Sequence, residues 1–255
     1  MMNSLIGMAI VLIVFCTLLI LLQTWQRKFN PDAELVRKLF HLGMGLFTLA
    51  LPHLFTAIWP VLVMCAVTVA LLIVVRVSSR LRNNFGAVLG GVSRCSHGEL
   101  YFSLGVAALF ALAKNDLVLY SVSILLLTFA DAAAALVGKR FGLHRFGQKS
   151  LEGSLTFLLT AFVCVAVPFS LFREAILVPI WLLAVTSALL LTLIEAVASR
   201  GLDNLLLPIA AYLLLTDLEQ RTTNELSALL LLLIAMLLMV WAAHRKQKHV
   251  AEARL

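Results

Sequence analysis

The sequence predicts an all-α, polytopic membrane protein with about nine transmembrane helices, its N-terminus outside and its C-terminus cytoplasmic. Three observations carry this. Of 255 residues, 62% are hydrophobic and only 13% charged, against roughly 45–50% and about 25% in soluble domains, and the mean hydropathy is +1.02. Nine apolar runs of near-spanning length follow one another. The basic residues fall on alternate sides of those runs. This composition excludes an ordinary soluble enzyme, a disordered tail and a disulfide scaffold. It leaves residues 1–255 as a single integral membrane domain with no room for a separate soluble one.

In chain order the expected spans are 4–25, 38–55, 58–75, 99–113, 116–138, 151–172, 175–198, 202–216 and 225–243. The first reads as a retained helix rather than a signal peptide. No basic segment precedes it, and it ends in Gln23-Thr24-Trp25-Gln26-Arg27-Lys28 with no small-residue cleavage site. The fourth and eighth are short, near fifteen residues. Threading nine spans from an outside N-terminus puts seventeen of the twenty Lys and Arg on inside segments, leaving Lys114, Arg173 and Arg221 outside. Deleting either short span alone would move a basic cluster to the wrong side, so the positive-inside bias supports both. The net charge of +7 therefore belongs to loops, and no nucleic-acid partner is expected. Between the third and fourth spans an amphipathic piece, 77–92, is expected along the cytoplasmic interface. Cys16, Cys65, Cys95 and Cys164 have no metal-ligand spacing and read as small packing residues.

The ionisable residues gather at the expected cytoplasmic ends of the spans. A transporter would place them along a path at the membrane midplane. This layout suits an enzyme that takes a water-soluble reagent from the cytoplasm and a lipid from the bilayer. Asp131, two turns from the end of the fifth span, requires a partner, water or a cation, because a bare carboxylate there costs several kcal/mol. Gly138 and Gly142 bracket Lys139 and Arg140 in an expected tight turn, and Lys149 and Ser150 are expected to open the next helix near Glu152 and Gly153. Helix N–H groups, glycine and cations suit a phosphate, and Asp131 with Glu152 suits Mg²⁺ between phosphate oxygens. A plainer reading stands beside this one. Lys139, Arg140 and Arg145 also serve as topology anchors, Ser150 as an N-cap, and Glu152 as a complement to the helix dipole.

Three further clusters lie on the same side. Arg37, Lys38 and His41 open the second span, with Gly45 continuing the face shared by Arg37 and His41. Arg94, His97, Gly98, Glu99 and Tyr101 precede the fourth, where Glu99 also reads as a cap and His97 as a loop residue. Glu195 ends the seventh span against its helix dipole, a placement that asks for a metal or a basic partner. Asp203 and Asn204 begin the eighth, and Pro208 disturbs its hydrogen bonding.

These residues resemble the CTP-dependent polyprenol kinase group, which includes dolichol, phytol and farnesol kinases and CTP-using diacylglycerol kinases. The resemblance is strongest over 37–208. Arg-Lys-x-x-His matches at Arg37, Lys38 and His41, and Gly-Glu-Leu-Tyr at Gly98 to Tyr101. Asp-x-x-Ala-x-x-x-Gly-x-x-x-Gly followed by Lys-Ser-x-Glu-Gly matches at Asp131, Ala134, Gly138, Gly142, Lys149, Ser150, Glu152 and Gly153. Gly-x-Asp-Asn-x-x-x-Pro matches at Gly201, Asp203, Asn204 and Pro208, after Glu195. Ala130 stands where the family has glycine before the aspartate. The resemblance implies transfer of the γ-phosphoryl of CTP, or less readily ATP, to the hydroxyl of a membrane alcohol, with Mg²⁺ as cofactor. Asp131 would orient or deprotonate the hydroxyl, with His41 as the alternative. Lys149, Arg37 and Lys139 would stabilise phosphate charge. Asp131, Glu152, Glu195 and Asp203 would hold the metal. Lys38, Gly138, Lys139, Arg140, Gly142, Ser150, Gly153 and Asn204 would line the nucleotide site. The compact size and lack of a transit pattern suggest a bacterial inner membrane with the active site on its cytoplasmic face. A phosphatidate cytidylyltransferase is the rival reading and a membrane transporter the second. The oligomeric state and the alcohol stay open.

Overall fold

In a computed structural model the chain is described over residues 4–78, 80, 88, 97–174 and 176–252, with backbone alone at Arg76, Trp241 and 243–252. Most of the expected amphipathic piece 77–92, together with Arg94 and Cys95, lies outside the described residues. Among those residues the protein is almost wholly helical. In order come α1 (Ser4–Phe29), α2 (Ala33–Thr48), the single turn α3 (Leu51–Leu54), α4 (Trp59–Val77) and α5 (Gly98–Ala113). A composite helix follows, made of α6 (Leu117–Leu125), a π-helical turn (Leu126–Ala130) and α7 (Asp131–Phe141). After a hairpin come α8 (Leu151–Phe172), α9 (Ile180–Val197), α10 (Asp203–Leu218) and α11 (Thr223–Glu252).

Each expected span contains a helix, with differences that have local causes. The second helix begins at Ala33, five residues early, because the Asp32 carboxylate accepts from the N–H groups of Glu34 (2.9 Å) and Leu35 (3.2 Å). It also stops at Thr48, and Pro52 restarts the chain as a separate turn. Asp116 caps α6 through Leu119 N–H, and Thr222 with Glu225 forms a reciprocal capping box at the start of α11. The expected tight turn at Gly138–Gly142 is instead helical through Phe141. Alanine, leucine and valine keep the α7 backbone regular, and the chain leaves the helix only at Gly142. Lys149 likewise does not open a helix. It sits in a two-stranded antiparallel hairpin, Arg145–Phe146 against Lys149–Ser150, turned by Gly147 at φ +58°. Ser150 is the N-cap of α8, its Oγ accepting from Gly153 N–H at 3.1 Å.

Among the described residues, five helices are long and apolar enough to cross a membrane: Ser4–Phe29, Leu117–Phe141, Leu151–Phe172, Ile180–Val197 and Thr223–Val240. Large apolar side chains such as Ile13, Leu62, Leu159, Leu171 and Leu231 lie on the outside. So wide an apolar exterior suits acyl chains and not water. The main core joins the composite helix with α8, α9 and α10 around Phe157, Phe169, Leu183, Leu191 and Leu207. A second packs α4, α5 and α6 around Phe55, Phe110 and Tyr120.

Small residues set the closest helix crossings. A side chain added at Gly153 would meet the Ala134 carbonyl and Gly138, so α7 and α8 touch nearly backbone to backbone. Pro208 lacks the N–H that would bond Asn204 C=O, and Gly105 of α5 lies directly against that carbonyl. At the end of the bundle away from the hairpin, Arg173 donates to Asp116 (2.8 Å) and Glu219 (3.0 Å), tying α8 to α6 and α10.

Candidate active site

Helix polarity alternates along the chain. The starts of α2, α5, α8 and α10 therefore meet the ends of α7 and α9, and all six carry the polar motifs. Together they surround a cavity of about 900 Å³. Among the described residues its lining holds six cationic side chains (Arg37, Lys38, Lys139, Arg145, Lys149 and Arg200) and five carboxylates (Glu34, Glu99, Asp131, Glu195 and Asp203).

Asp131 has its partner. It is buried, and its Oδ2 accepts from Lys38 Nζ at 2.5 Å. The π-helical turn ends immediately before it. A π turn holds more than four residues per revolution and frees backbone groups; within it, the Leu127 carbonyl accepts from His41 Nε2–H at 3.0 Å. That bond places Nε2 3.7 Å from Asp131 Oδ2.

Lys149 reaches across from the hairpin to donate to Glu195 Oε1 (2.5 Å) and Asp203 Oδ2 (2.9 Å). The unfavourable end-of-helix position of Glu195 is thus matched by a basic partner. Burial works against the Lys149 charge, but the carboxylates of Asp203, Glu195 and Asp131 outweigh it and raise its pKa above the ordinary lysine value. Asn204 does more than cap. Its Nδ2 donates to Gly98 C=O at 2.9 Å, and His97 N–H bonds Arg200 C=O at 3.2 Å, so the start of α5 is tied to the 198–204 loop twice. Arg200 in that loop has φ +56°, a strained left-handed conformation for a side-chain-bearing residue, beside Gly201 at +86°.

Other sequence candidates fall elsewhere. Arg37 pairs with Glu34 and lies 3.7 Å from Glu99. Lys139 lines the cavity but holds exposed Asp32 at 2.7 Å, an ion pair that lowers the Asp32 pKa. The structure does not bring Glu152, Arg140 or Gly142 to the cavity wall. Glu152 accepts from the His144 ring at 2.8 Å on the outside of the hairpin. Arg140 stacks over Phe141. Gly142 abuts Ser150. Glu34 and Ser154 line the cavity without having been singled out in the sequence. The i,i+3 spacing of Glu34 and Arg37 was a usable signal; Ser154, one helical turn beyond Ser150, offered none.

Among the described residues, the buried oxygens Ser154 Oγ, Glu195 Oε2 and Asn204 Oδ1 at the cavity have no hydrogen-bond partner. Such groups are costly unless a ligand or water completes them. No three His, Cys, Asp or Glu side chains converge on one point among the described residues. The site fits a hard cation that takes one or two carboxylates and completes its shell with phosphate oxygens and water, as Mg²⁺ does.

A second, apolar cavity of about 100 Å³ lies between α1, α2, α4 and α5. Arg37, Glu99 and Asn204 line both cavities. His41 faces the apolar one, edge-on to Phe102 at 4.6 Å.

No protein-family model and no solved structure matches the chain. Two curated proteins do. Phytol kinase from Synechocystis sp. is 34% identical over 131 residues, covering 48% of this chain and 55% of that protein. CTP-dependent diacylglycerol kinase 1 from Eremothecium gossypii is 31% identical over 165 residues, covering 60% and 51%. The chain spans about half the length of the curated relatives it matches. Over 131 to 165 residues, therefore, the chain is similar to the phytol kinase and CTP-dependent diacylglycerol kinase group.

Proposed function

We propose that the protein is a lipid kinase that transfers the γ-phosphoryl group of CTP, or less readily ATP, to the hydroxyl of a membrane alcohol at the cytoplasmic face of a bacterial inner membrane. The observation that carries this reading is the shared wall. A polar cavity of about 900 Å³ abuts an apolar cavity lined by α1, α2, α4 and α5, and Arg37, Glu99 and Asn204 belong to both. Similarity to two proteins named as lipid kinases supports it.

The charge balance sets how the donor binds. A triphosphate carries about four negative charges, whereas the cations lining this cavity are nearly matched by its carboxylates. Binding therefore requires cations to change partners and a divalent ion to accompany the nucleotide. Glu195 and Asp203 would hold Mg²⁺, which supplies charge neutralisation at the β- and γ-phosphates. Lys149, now between those two carboxylates, would turn to the phosphates. The acceptor oxygen forms its bond to the γ-phosphorus, the bond to the β,γ-bridging oxygen breaks, and the nucleoside diphosphate leaves. The hydroxyl proton passes to Asp131, which Lys38 holds in place on the wall of the polar cavity.

The test is purified protein in detergent with γ-labelled CTP or ATP, Mg²⁺ and a panel of prenyl alcohols and diacylglycerol. A kinase yields CDP and a labelled phospholipid, and EDTA stops the reaction. Release of pyrophosphate with cytidine on the lipid would instead identify a cytidylyltransferase. Labelled lipid absent under all donors would end the kinase reading.

A further inference from the structure

A hydroxyl inside a helix has a default partner, the carbonyl one turn earlier. On α8, Thr156, Thr160 and Ser170 all take it, donating to the carbonyls of Glu152 (2.8 Å), Thr156 (2.8 Å) and Ala166 (2.7 Å). Ser154 does not. Its side chain is buried, at 8% exposure, yet among the described residues its Oγ has no partner, and it lines the polar cavity. A buried hydroxyl left open towards a cavity is costly unless something in that cavity completes it.

Other groups at this end of α8 are committed. Leu151 N–H bonds His144 C=O at 3.0 Å, and Gly153 N–H bonds Ser150 Oγ at 3.1 Å. Ser150 Oγ is also enclosed, since a side chain added at Gly138 or Gly142 would meet it. The first turn of α8 thus spends these groups on the hairpin and its own cap, and Ser154 is the hydroxyl that remains.

Its position decides what it meets. The hairpin joins the end of α7 to the start of α8, so the two helices run antiparallel, and Gly153 crosses α7 against the Ala134 carbonyl and Gly138. Ser154 is one residue deeper along α8, on the way from Lys149 in the hairpin to Asp131 in α7. Ala134, Ala135 and Gly138 complete this stretch of wall and bring no polar side chain to it. In the proposed reaction the acceptor oxygen comes in beside Asp131 and the diphosphate leaves beside Lys149, so the group between them is the γ-phosphoryl. Phosphate oxygens are strong acceptors. A hydroxyl supplies them with a donor and adds no charge to a cavity whose cations and carboxylates are already nearly matched.

We infer that Ser154 Oγ–H donates to a non-bridging oxygen of the γ-phosphoryl group, so that the site tells the triphosphate donor from the diphosphate product. This rests on the kinase reading and adds the residue that separates substrate from product. Once the phosphoryl group has moved to the lipid alcohol, the diphosphate no longer has this bond and is held less tightly.

The experiment is direct binding of the non-hydrolysable β,γ-methylene analogues of CTP and ATP, and of CDP and ADP, to the full chain in one detergent with Mg²⁺. Wild type is compared with Ser154→Ala and with Thr160→Ala, whose hydroxyl bonds its own helix. Ser154→Ala should weaken the triphosphate analogue by about tenfold or more, the scale of one hydrogen bond to a charged group, and leave the diphosphate within about twofold. Thr160→Ala should change neither. The melting temperature of nucleotide-free Ser154→Ala should not fall, because alanine removes an unpartnered hydroxyl and is the better helix former. Unchanged triphosphate affinity, or an equal loss for triphosphate and diphosphate, overturns the γ-phosphoryl contact and leaves the kinase standing. A fall in melting temperature without nucleotide also overturns it, since the hydroxyl then serves the fold. Failure of the wild type to bind either triphosphate analogue overturns the kinase reading, and the Ser154 contact with it.

Discussion

Lys38 changes what a substitution at Asp131 means. Sequence reasoning asks for a partner, water or a cation at Asp131 without saying which. With Lys38 Nζ on its carboxylate and both side chains buried, Asp131→Asn leaves an ammonium unmatched, a loss of about 3–5 kcal/mol where a buried pair is broken from one side. Asp131→Asn should therefore lower both thermal stability and turnover, the latter by about a hundredfold or more for a group that orients or deprotonates the acceptor. The double variant Lys38→Met/Asp131→Asn separates the two effects: melting in detergent should recover, turnover should not. Lys149 behaves differently, because two carboxylates share it. Lys149→Ala should lower nucleotide affinity and turnover, whereas Lys149→Arg should keep binding better than turnover, since a planar guanidinium cannot replace a compact ammonium. Its raised pKa also fixes a pH outcome. A raised lysine pKa keeps its contribution whole below the ordinary value of 10.5 and loses it only as pH rises through the higher folded value. Nucleotide KM should accordingly show no Lys149-linked change between about pH 6 and 9, a result that initial-rate titration checks.

The helices were legible because apolar runs and caps are local. Ser150 announces a helix start by residue type alone, and Glu195 announces a partner by standing against its own dipole, whereas the Asp32 cap lies outside the apolar run and moves the start of α2 five residues earlier than that run suggests. Two features were not legible. The hairpin at 145–150 is only two residues per strand, too short for any alternation to register, and it moves Lys149 off the helix start and over to Glu195 and Asp203. The π-helical turn depends on long-range packing, with His41 taking the Leu127 carbonyl, and nothing in Leu-Leu-Thr-Phe-Ala signals it. Ser150 was given two roles by the sequence, cap and phosphate donor, and the structure shows the first. Ser150→Ala should cost about 1 kcal/mol of stability and Ser150→Asp should retain the cap, as denaturant titration in mild detergent would measure. Loss of nucleotide affinity in Ser150→Asp, with stability kept, would assign the hydroxyl to phosphate as well.

Across the whole bundle, the two ends have opposite characters. One holds the cavities and their unmatched oxygens; the other is closed by Arg173 with Asp116 and Glu219. If the spans alternate as the basic residues indicate, a reporter fused after residue 145 should be cytoplasmic and one near 220 external, by protease or alkylation access in spheroplasts. Residue 220 on the cytoplasmic side would sink the nine-span arrangement. The π-helical turn then has a consequence for the molecule as a rotor. Each residue in a regular helix advances the side-chain direction by about 100°. The wide turn at 126–130 spreads its five residues over about the rotation that four make in an α-helix, so it takes up one extra residue while the half that carries Asp131, Gly138 and Lys139 keeps its phase with the half that faces the Arg173 tie. Deleting one residue there would let the helix close to regular winding with the carboxylate still toward Lys38, at the cost of the bulge whose Leu127 carbonyl His41 uses. The turn works like slack in a drive belt: it spares a backbone carbonyl for a neighbour and leaves both ends in step.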